Sequence, residues 1–474
     1  MKTYMKSLLS RILTAGLCAA AIFPVSAVTI SIEPGQLADR LASATPDSEL
    51  IITGRADARD LNALRALPTP PETLDLVGVA IADLQADAPI HLGQASFKAG
   101  HLPSYILFKA PYKKILLPAK MTAIEAGALA GSQIEEITIP EGVSSIGDYA
   151  FYGCHNLKRV NLPYSLLSLG RGAFADCPAL VSINIADTRV ATLPEDCLAG
   201  AQSLRTLDLP AVLNIETRAL ANSGIESLEL PEARNLAPFA LADLHNLVYL
   251  SVGPNARFDV GTLMNCNSLT TLQGAPENLP DLFAANCYSL TPNGLITQAG
   301  SIGKYALANS GASTMIFGQD LISIDENAFK GTVNLSHIDA TALDGNIPAV
   351  EENTFAGLDP STVRLKVADH FEEGWQNHPV WGLFDIYSDY LTDVEEIPVA
   401  NDSAISIRIA AGRLIIDAPK PITSAALYDT AGHMLLDIPA GDNHAEIDVT
   451  DLPRGVIIVS VKTADDFKGS KIIL

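Results

Sequence analysis

The chain has 474 residues, 48% apolar and 18% charged, with a formal net charge of −23. The apolar content supports a large core and excludes a largely disordered chain, and at about 150 residues per domain the length predicts two to four domains. The acid excess repels phosphate backbones, and with no Lys/Arg-rich run nucleic acid is excluded as an expected partner.

Residues 1–27 read as a secretory signal. Lys2, Lys6 and Arg11 form a positive start, and residues 12–23 (ILTAGLCAAAIF) form an apolar run too short to span a bilayer. Small residues at 25–27 (VSA) place cleavage after Ala27. Cys18 would suit a lipoprotein signal, but Leu17 precedes it where a small residue is wanted. No later segment reads as transmembrane. Residues 28–110 follow as an N-terminal capping region. There, LIITGRADARDLNALRAL (50–67) and TLDLVGVAI (73–81) predict a strand, a Gly turn, a helix and a second strand.

Residues 111–390 repeat one sentence. IGDYAFYGCHNLKRVNLP (146–163) returns as LGRGAFADCPALVSINIA (169–186). The second residue of the Ala-Phe pair, or its substitute, falls at Leu129, Phe151, Phe174, Leu198, Leu220, Leu241, Leu263, Phe283, Leu307, Phe329 and Phe355. Eleven units spaced 20–26 residues apart predict a stacked solenoid. Alternating segments such as EEITIP (135–140), KRVNLP (158–163), VSINIA (181–186) and RTLDLP (205–210) predict half-buried strands, ended by Pro140, Pro163 and Pro210. Strands of successive coils pair in parallel, and the Ala-Phe pair faces inward from a short irregular or helical return. Cys154, Cys177, Cys197, Cys266 and Cys287 fall at recurring slots, with an odd count and no CxxC. They read as free core thiols, or as disulfides between neighbouring coils; without a His/Cys cluster, metal binding is not expected. FEEGWQNHPVWGLFDIY (371–387) carries Trp375 and Trp381, as an aromatic plug or as a ligand-stacking pair.

This grammar resembles the BspA-like leucine-rich repeats of bacterial surface proteins, whose units read IGxxAFxxCxxLxxIxLP. The resemblance covers about residues 111–390. It implies an α/β-type leucine-rich-repeat solenoid, a parallel β-ladder with short irregular or helical returns, closed at each end by a cap.

From residue 393 to 474 the composition changes. ISIRIA, RLIIDA, SAALYDT, HMLLDI, AEIDVT, GVIIVSVKT and SKIIL predict seven short strands and a small all-β, Ig-like sandwich. AGRLII, LYDTAGHML, TDLPRGVIIVSVKT and KIIL resemble the C-terminal sorting domain of type IX secretion cargo, with Ile457 where Tyr or Phe is usual and Leu474 in place of a basic end. The resemblance implies an outer-membrane secretion machinery as partner; the alternative is a terminal adhesive or capping sandwich. Ser403 and Thr430 lie in short Asp-Ser-Ala and Asp-Thr-Ala motifs that fit O-glycosylation.

Catalytic signatures are missing from the sequence: no GxSxG, no HExxH, no phosphate loop, no calcium loop. No enzyme activity, cofactor or metal is expected. The candidate surface is the outer side of the strand ladder. One outward column runs Glu136, Arg159, Ser182, Thr206, Ser227, Tyr249 and Thr271; the next runs Thr138, Asn161, Asn184, Asp208, Glu229, Ser251 and Gln273. Arg159 and Tyr249 are the candidate anchors, since interfaces favour Arg and Tyr. The columns also fit the plain need of an exposed sheet to be polar. The expected function is a secreted or cell-surface protein, attached at the outer membrane, that binds a protein or glycan; the BspA resemblance implies host matrix. A structural spacer without a ligand and an exported hydrolase are the alternatives.

Overall fold

The computed structural model describes residues 27–43, 46, 48–85, 96–274, 279–290, 295–297, 300–388, 405–410, 413–428, 434–438, 441–449, 452, 456–464 and 467–473. The expected signal, Ser403 and Thr430 lie outside them. The chain divides into two units, Met1–Tyr390 and Leu391–Leu474.

In the first unit each coil has three sides. The first is the strand that alternation demands. In Glu136–Thr138 the side chain of Ile137 is buried between exposed Glu136 and Thr138, and the strand pairs in parallel with Arg159–Asn161 in the register Glu136↔Arg159, Ile137↔Val160, Thr138↔Asn161. Parallel pairing in this register runs through Ala27–Ile32, Glu49–Ala56, Thr73–Ile81, Lys114–Leu116, Glu136–Thr138, Arg159–Asn161 and Ser182–Ile183. A second ladder joins Ser227–Leu230, Tyr249–Val252 and Thr271–Gln273. A third runs from Leu295–Thr297 to Asp385–Tyr387. The solenoid thus makes about fifteen turns.

The amino-terminal region supplies the opening strands of that stack. Gly54, expected in a turn, lies inside the strand Glu49–Ala56 at φ +97°, where a Cβ would stand 2.3 Å from the carbonyl oxygen of Ile32. The helix Ala58–Ala63 starts at Asp57 in a capping box with Asp60. Asp60 also accepts from the backbone N–H of Gly35 (2.8 Å) and Leu37 (2.9 Å), which fixes the short helix Leu37–Leu41 to it.

The second side is a strand of two residues that the sequence reading took as part of the return. His101–Leu102, Ala123–Ile124, Ser145–Ile146 and Ser168–Leu169 form one such ladder, and Thr192–Leu193, Asn214–Ile215, Asn235–Leu236 and Arg257–Phe258 another. The third side is a run of turns; the described α-helices of this unit occur near its ends. Its backbone is nonetheless paired from coil to coil. Tyr149, Phe151 and Gly153 donate to the carbonyls of Arg171 (2.7 Å), Ala173 (2.8 Å) and Ala175 (2.9 Å). Equivalent bonds recur from Tyr105 to Gly331. The first and last donors of each set sit in the left-handed region, as at Tyr149 (φ 55°) and Gly153 (φ 67°). Glycine and asparagine adopt this conformation most readily, hence Gly131, Asn222, Asn265 and Asn309 in the last slot.

The interior is one apolar column. Phe151 stacks on Phe174 with centroids 5.0 Å apart and an interplanar angle of 7°. Trp375 and Trp381 are buried at the far end, edge-on to each other at 5.3 Å, with Phe355 and Phe384 against Trp381 and its indole N–H donating to the Pro348 carbonyl. They plug the stack and leave no face for a ligand. The five cysteines described are free and buried. Cys154, Cys177, Cys266 and Cys287 donate to carbonyls of the preceding coil, those of Leu129, Phe151, Leu241 and Leu263.

The second unit contains all seven expected strands. Two antiparallel sheets, one of three strands and one of four, share a single apolar cluster that includes Leu414, Leu427, Val459 and Val461.

Candidate functional site

The outer face of the first side carries the candidate residues. Thr138, Arg159, Asn161, Asp208 and Glu229 are exposed; Asn184, Tyr249 and Ser251 are half-buried. The register places Glu136, Arg159 and Ser182 side by side, and likewise Thr206, Ser227, Tyr249 and Thr271. Glu229, Ser251 and Gln273 are neighbours in the adjacent column.

Most of these groups already hold one another. Arg159 pairs with Glu136 at 2.6 Å, and Lys158 with Glu135 at 2.8 Å. Hydrogen bonding to Lys158 holds the Glu135 carboxyl below its usual range. Asn161 donates to Thr138 (3.3 Å), and the Tyr249 hydroxyl donates to Gln273. Such exposed pairs contribute little stability, about 0–1 kcal/mol each; they fix side-chain positions on a rigid face.

The columns are not continuous. Ser182–Ile183 is the last strand of its ladder, and the next coil contributes one bridge, Thr206↔Ser227. Between them the chain, expected as strand through residue 186, turns into the 3₁₀ segment Ile185–Asp187. Asn184 leaves the exposed column. Its amide accepts from Leu162 N–H (2.7 Å) and donates to the Leu162 carbonyl (3.1 Å) and to Asp187 (3.0 Å), taking the place of the next strand residue. Two shallow grooves flank the break. One is bordered by Ser182, Asn184, Asp187 and Asp208, the other by Thr206, Asp208, Ser227 and Glu229. The ladder break therefore concentrates polar and acidic side chains around residues 206–208, which the even column in the sequence did not suggest.

Two surface features escaped the sequence reading. On the second side, Asn235 donates to Asn214 (2.7 Å) and Asn214 to Thr192 (3.2 Å), a short amide ladder. On the third side, aromatic residues stand where most coils carry alanine. Their signal was a Phe or Tyr at 108 and 152, three residues past a left-handed position. Among the described residues no group of three or more His, Cys, Asp or Glu is placed to hold a metal ion, and no helix is long and apolar enough to cross a membrane. Burial pushes the Cys197 thiol up to about 12, which leaves it unreactive.

Residues 122–247 and 259–366 match the family of BspA type leucine rich repeat regions, in six copies. The solenoid is a BspA-type leucine-rich-repeat array. A leucine-rich repeat protein from Bacteroides ovatus has a similar crystal structure: 18% identity, TM-score 0.51, covering 77% of this chain and 92% of that one. The pneumococcal vaccine antigen PcpA aligns at 16% identity and TM-score 0.37 over 77% of this chain and 84% of its own. A leucine-rich repeat protein from Eubacterium ventriosum aligns at 14% identity and TM-score 0.34, over 70% and 90%. At these identities the likeness to the Bacteroides ovatus protein concerns the fold alone. No curated protein sequence matches the chain.

Proposed function

We propose that this BspA-type array is a non-enzymatic binding scaffold, secreted or held at the cell surface, that engages a protein or glycan through the outer face of its first side. The observation that carries this reading is the interrupted polar face: a rigid ladder whose break gathers Asn184, Asp208 and Glu229 around two grooves. A preformed face binds without the cost of ordering loops. Arg159 and Tyr249 lie four coils apart, about 19 Å at ~4.8 Å per strand spacing, so a ligand touching both must be macromolecular. Export through a signal cleaved after Ala27 and outer-membrane delivery by the 393–474 sandwich complete the proposal. Its support is the sorting-domain resemblance of that sandwich and the family's association with surface proteins.

The test is surface plasmon resonance of the full chain against purified matrix proteins and mucin. Saturable binding that weakens in Asp208→Lys and in the double variant Arg159→Ala/Tyr249→Ala supports the scaffold. The pairing of Arg159 with Glu136 and of Tyr249 with Gln273 favours a second reading, a surface spacer whose polar face is satisfied internally. The spacer gives no saturable signal, and that outcome would replace the first reading.

A further inference from the structure

The third side of the array is made smooth by small residues. Three residues past the first left-handed position, the slot is alanine at Ala130, Ala175, Ala221, Ala242, Ala285 and Ala308, each nearly covered. Four coils depart from this, with Phe108, Tyr152, Met264 and Lys330 in the slot, and two of the four carry an aromatic ring there, Phe108 and Tyr152. In both coils the first left-handed position is a tyrosine, Tyr105 (φ 53°) and Tyr149 (φ 55°), a conformation costly for a bulky side chain. The result is the same aromatic corner twice. Tyr105 and Phe108 meet edge to face at 6.1 Å and 76°, and Tyr149 and Tyr152 at 5.9 Å and 89°.

The two corners stand two coils apart, about 9.6 Å at ~4.8 Å per coil. The neighbouring coils make room for them. A Cβ on Gly127 would strike the Tyr105 ring at 2.2 Å, and one on Gly172 the Tyr149 ring at 2.6 Å, so each tyrosine lies along the backbone of the next coil. This packing accounts for the tyrosines. It does not account for Tyr152, which is 45% exposed in a slot that alanine fills in most coils.

Charge around the corners is mixed. Lys109 stands 5.2 Å over the Phe108 ring and Arg171 5.9 Å over Tyr149. Arg171 in turn pairs with Glu195 at 2.8 Å. Of the two cations, Arg171 is thus neutralised and Lys109 lies over its own corner's ring, and the chain as a whole repels polyanions. A partner suited to paired exposed rings on an acidic chain presents flat C–H faces and uncharged hydroxyls at its edge. We propose that the corners Tyr105/Phe108 and Tyr149/Tyr152 form a platform for an uncharged glycan chain, with pyranose rings stacked on the aromatic faces and the strand running along the solenoid axis. This platform lies on a different side of the coil from the interrupted ladder, so the fate of either reading leaves the other standing.

The test is native affinity electrophoresis of the full chain in gels containing hydroxyethyl cellulose, glucomannan, arabinoxylan or soluble starch, with alginate as the anionic comparison. Wild-type protein is retarded by at least one of the neutral polysaccharides and not by alginate. Tyr152→Ala and Phe108→Ala each weaken retardation by roughly tenfold in dissociation constant, the size expected for one lost aromatic contact. Tyr164→Ala, which removes a 69% exposed ring on another part of the coil, leaves it unchanged. Tyr152→Ser repeats the test should Phe108→Ala misfold. The proposal fails if no neutral polysaccharide retards the wild type, if alginate does so equally, or if the Tyr152 variants bind as the wild type does.

Discussion

The column of small residues after most second left-handed positions offers a direct test of how the coils are held. It runs through Ser132, Cys154, Cys177, Ser223, Cys266, Cys287, Ser310 and Thr332. The four cysteines reach carbonyls of the coil before, as does Thr332, which donates to Leu307 at 2.9 Å. The hydroxyls of Ser223 and Ser310 are 4% exposed residues' only polar side-chain atoms, and neither has a partner. Burying an unpaired hydroxyl costs about 1–2 kcal/mol. Ser310→Ala and Ser223→Ala should therefore each stabilise their coil by that amount. The two sites are four coils apart, about 19 Å, beyond the ~10 Å within which neighbouring substitutions couple, so the gains should add. Solenoid stability is a sum of local contributions and two units do not unfold as one, so hydrogen exchange is the right assay. Amides of the altered coil should exchange about tenfold more slowly, 1.4 kcal/mol being a factor of ten. Faster exchange in Ser310→Ala would show that the hydroxyl is satisfied in solution, by water or by a shifted carbonyl, and the reasoning about this column would be wrong.

Tyr112 is buried and donates to the Leu64 carbonyl at 2.7 Å, and burial holds its hydroxyl well above the ordinary tyrosine range. The unfolded chain thus loses this proton first. Stability from this group is complete below about pH 10 and falls above it by about 1.4 kcal/mol per pH unit, a slope that urea titrations of Tyr112→Phe should lack. Asn286 (φ 62°) links Asn265 and Asn309 in an amide ladder with bonds of 2.8 and 3.0 Å. Asn286→Ala should cost about 2 kcal/mol and Asn286→Gly about half that, because glycine removes the left-handed strain; equal losses would put the whole effect in the side chain. The five buried thiols should resist a thiol reagent at pH 8 in the native protein and all react in denaturant, and rapid native labelling would show that the stack opens.

The first side was legible because its chemistry is periodic. In KRVNLP, Val160 and Leu162 alternate with polar residues, and the registers of Arg159 with Glu136 and of Tyr249 with Thr271 follow from counting. The break after Ser182–Ile183 was not legible, since Asn184 looks like Asn161 in the sequence. The clue was arithmetic: the coil from Phe174 to Leu198 is long, and the surplus residues form Ile185–Asp187. The second side hid because two residues such as Ser145–Ile146 show no alternation. The third side hid for the opposite reason. Its left-handed slots announce themselves at Gly153 and Asn265, but Tyr149, Lys109 and Leu282 occupy the same conformation and mask the pattern.

That third side explains how the array tolerates an interrupted strand face. The first side has no strand pairing between Ser182–Ile183 and the segment at Thr206, and the second has none between Ser168–Leu169 and Thr192–Leu193. These are successive junctions of the stack, and at either one a purely ladder-held solenoid would lose part of its seam. The backbone bonds of the third side cross both. Phe174 donates to the Cys197 carbonyl at 2.9 Å across the first junction, and Leu198 to the Ala219 carbonyl at 2.8 Å across the next. Continuity therefore rests on the side with left-handed turns and tightly placed Ala, Gly and Asn. The strand faces are released to vary in length, to bulge at Ile185–Asp187 and to open grooves. A repeat built this way separates the residues that hold the stack together from those free to vary on its strand faces.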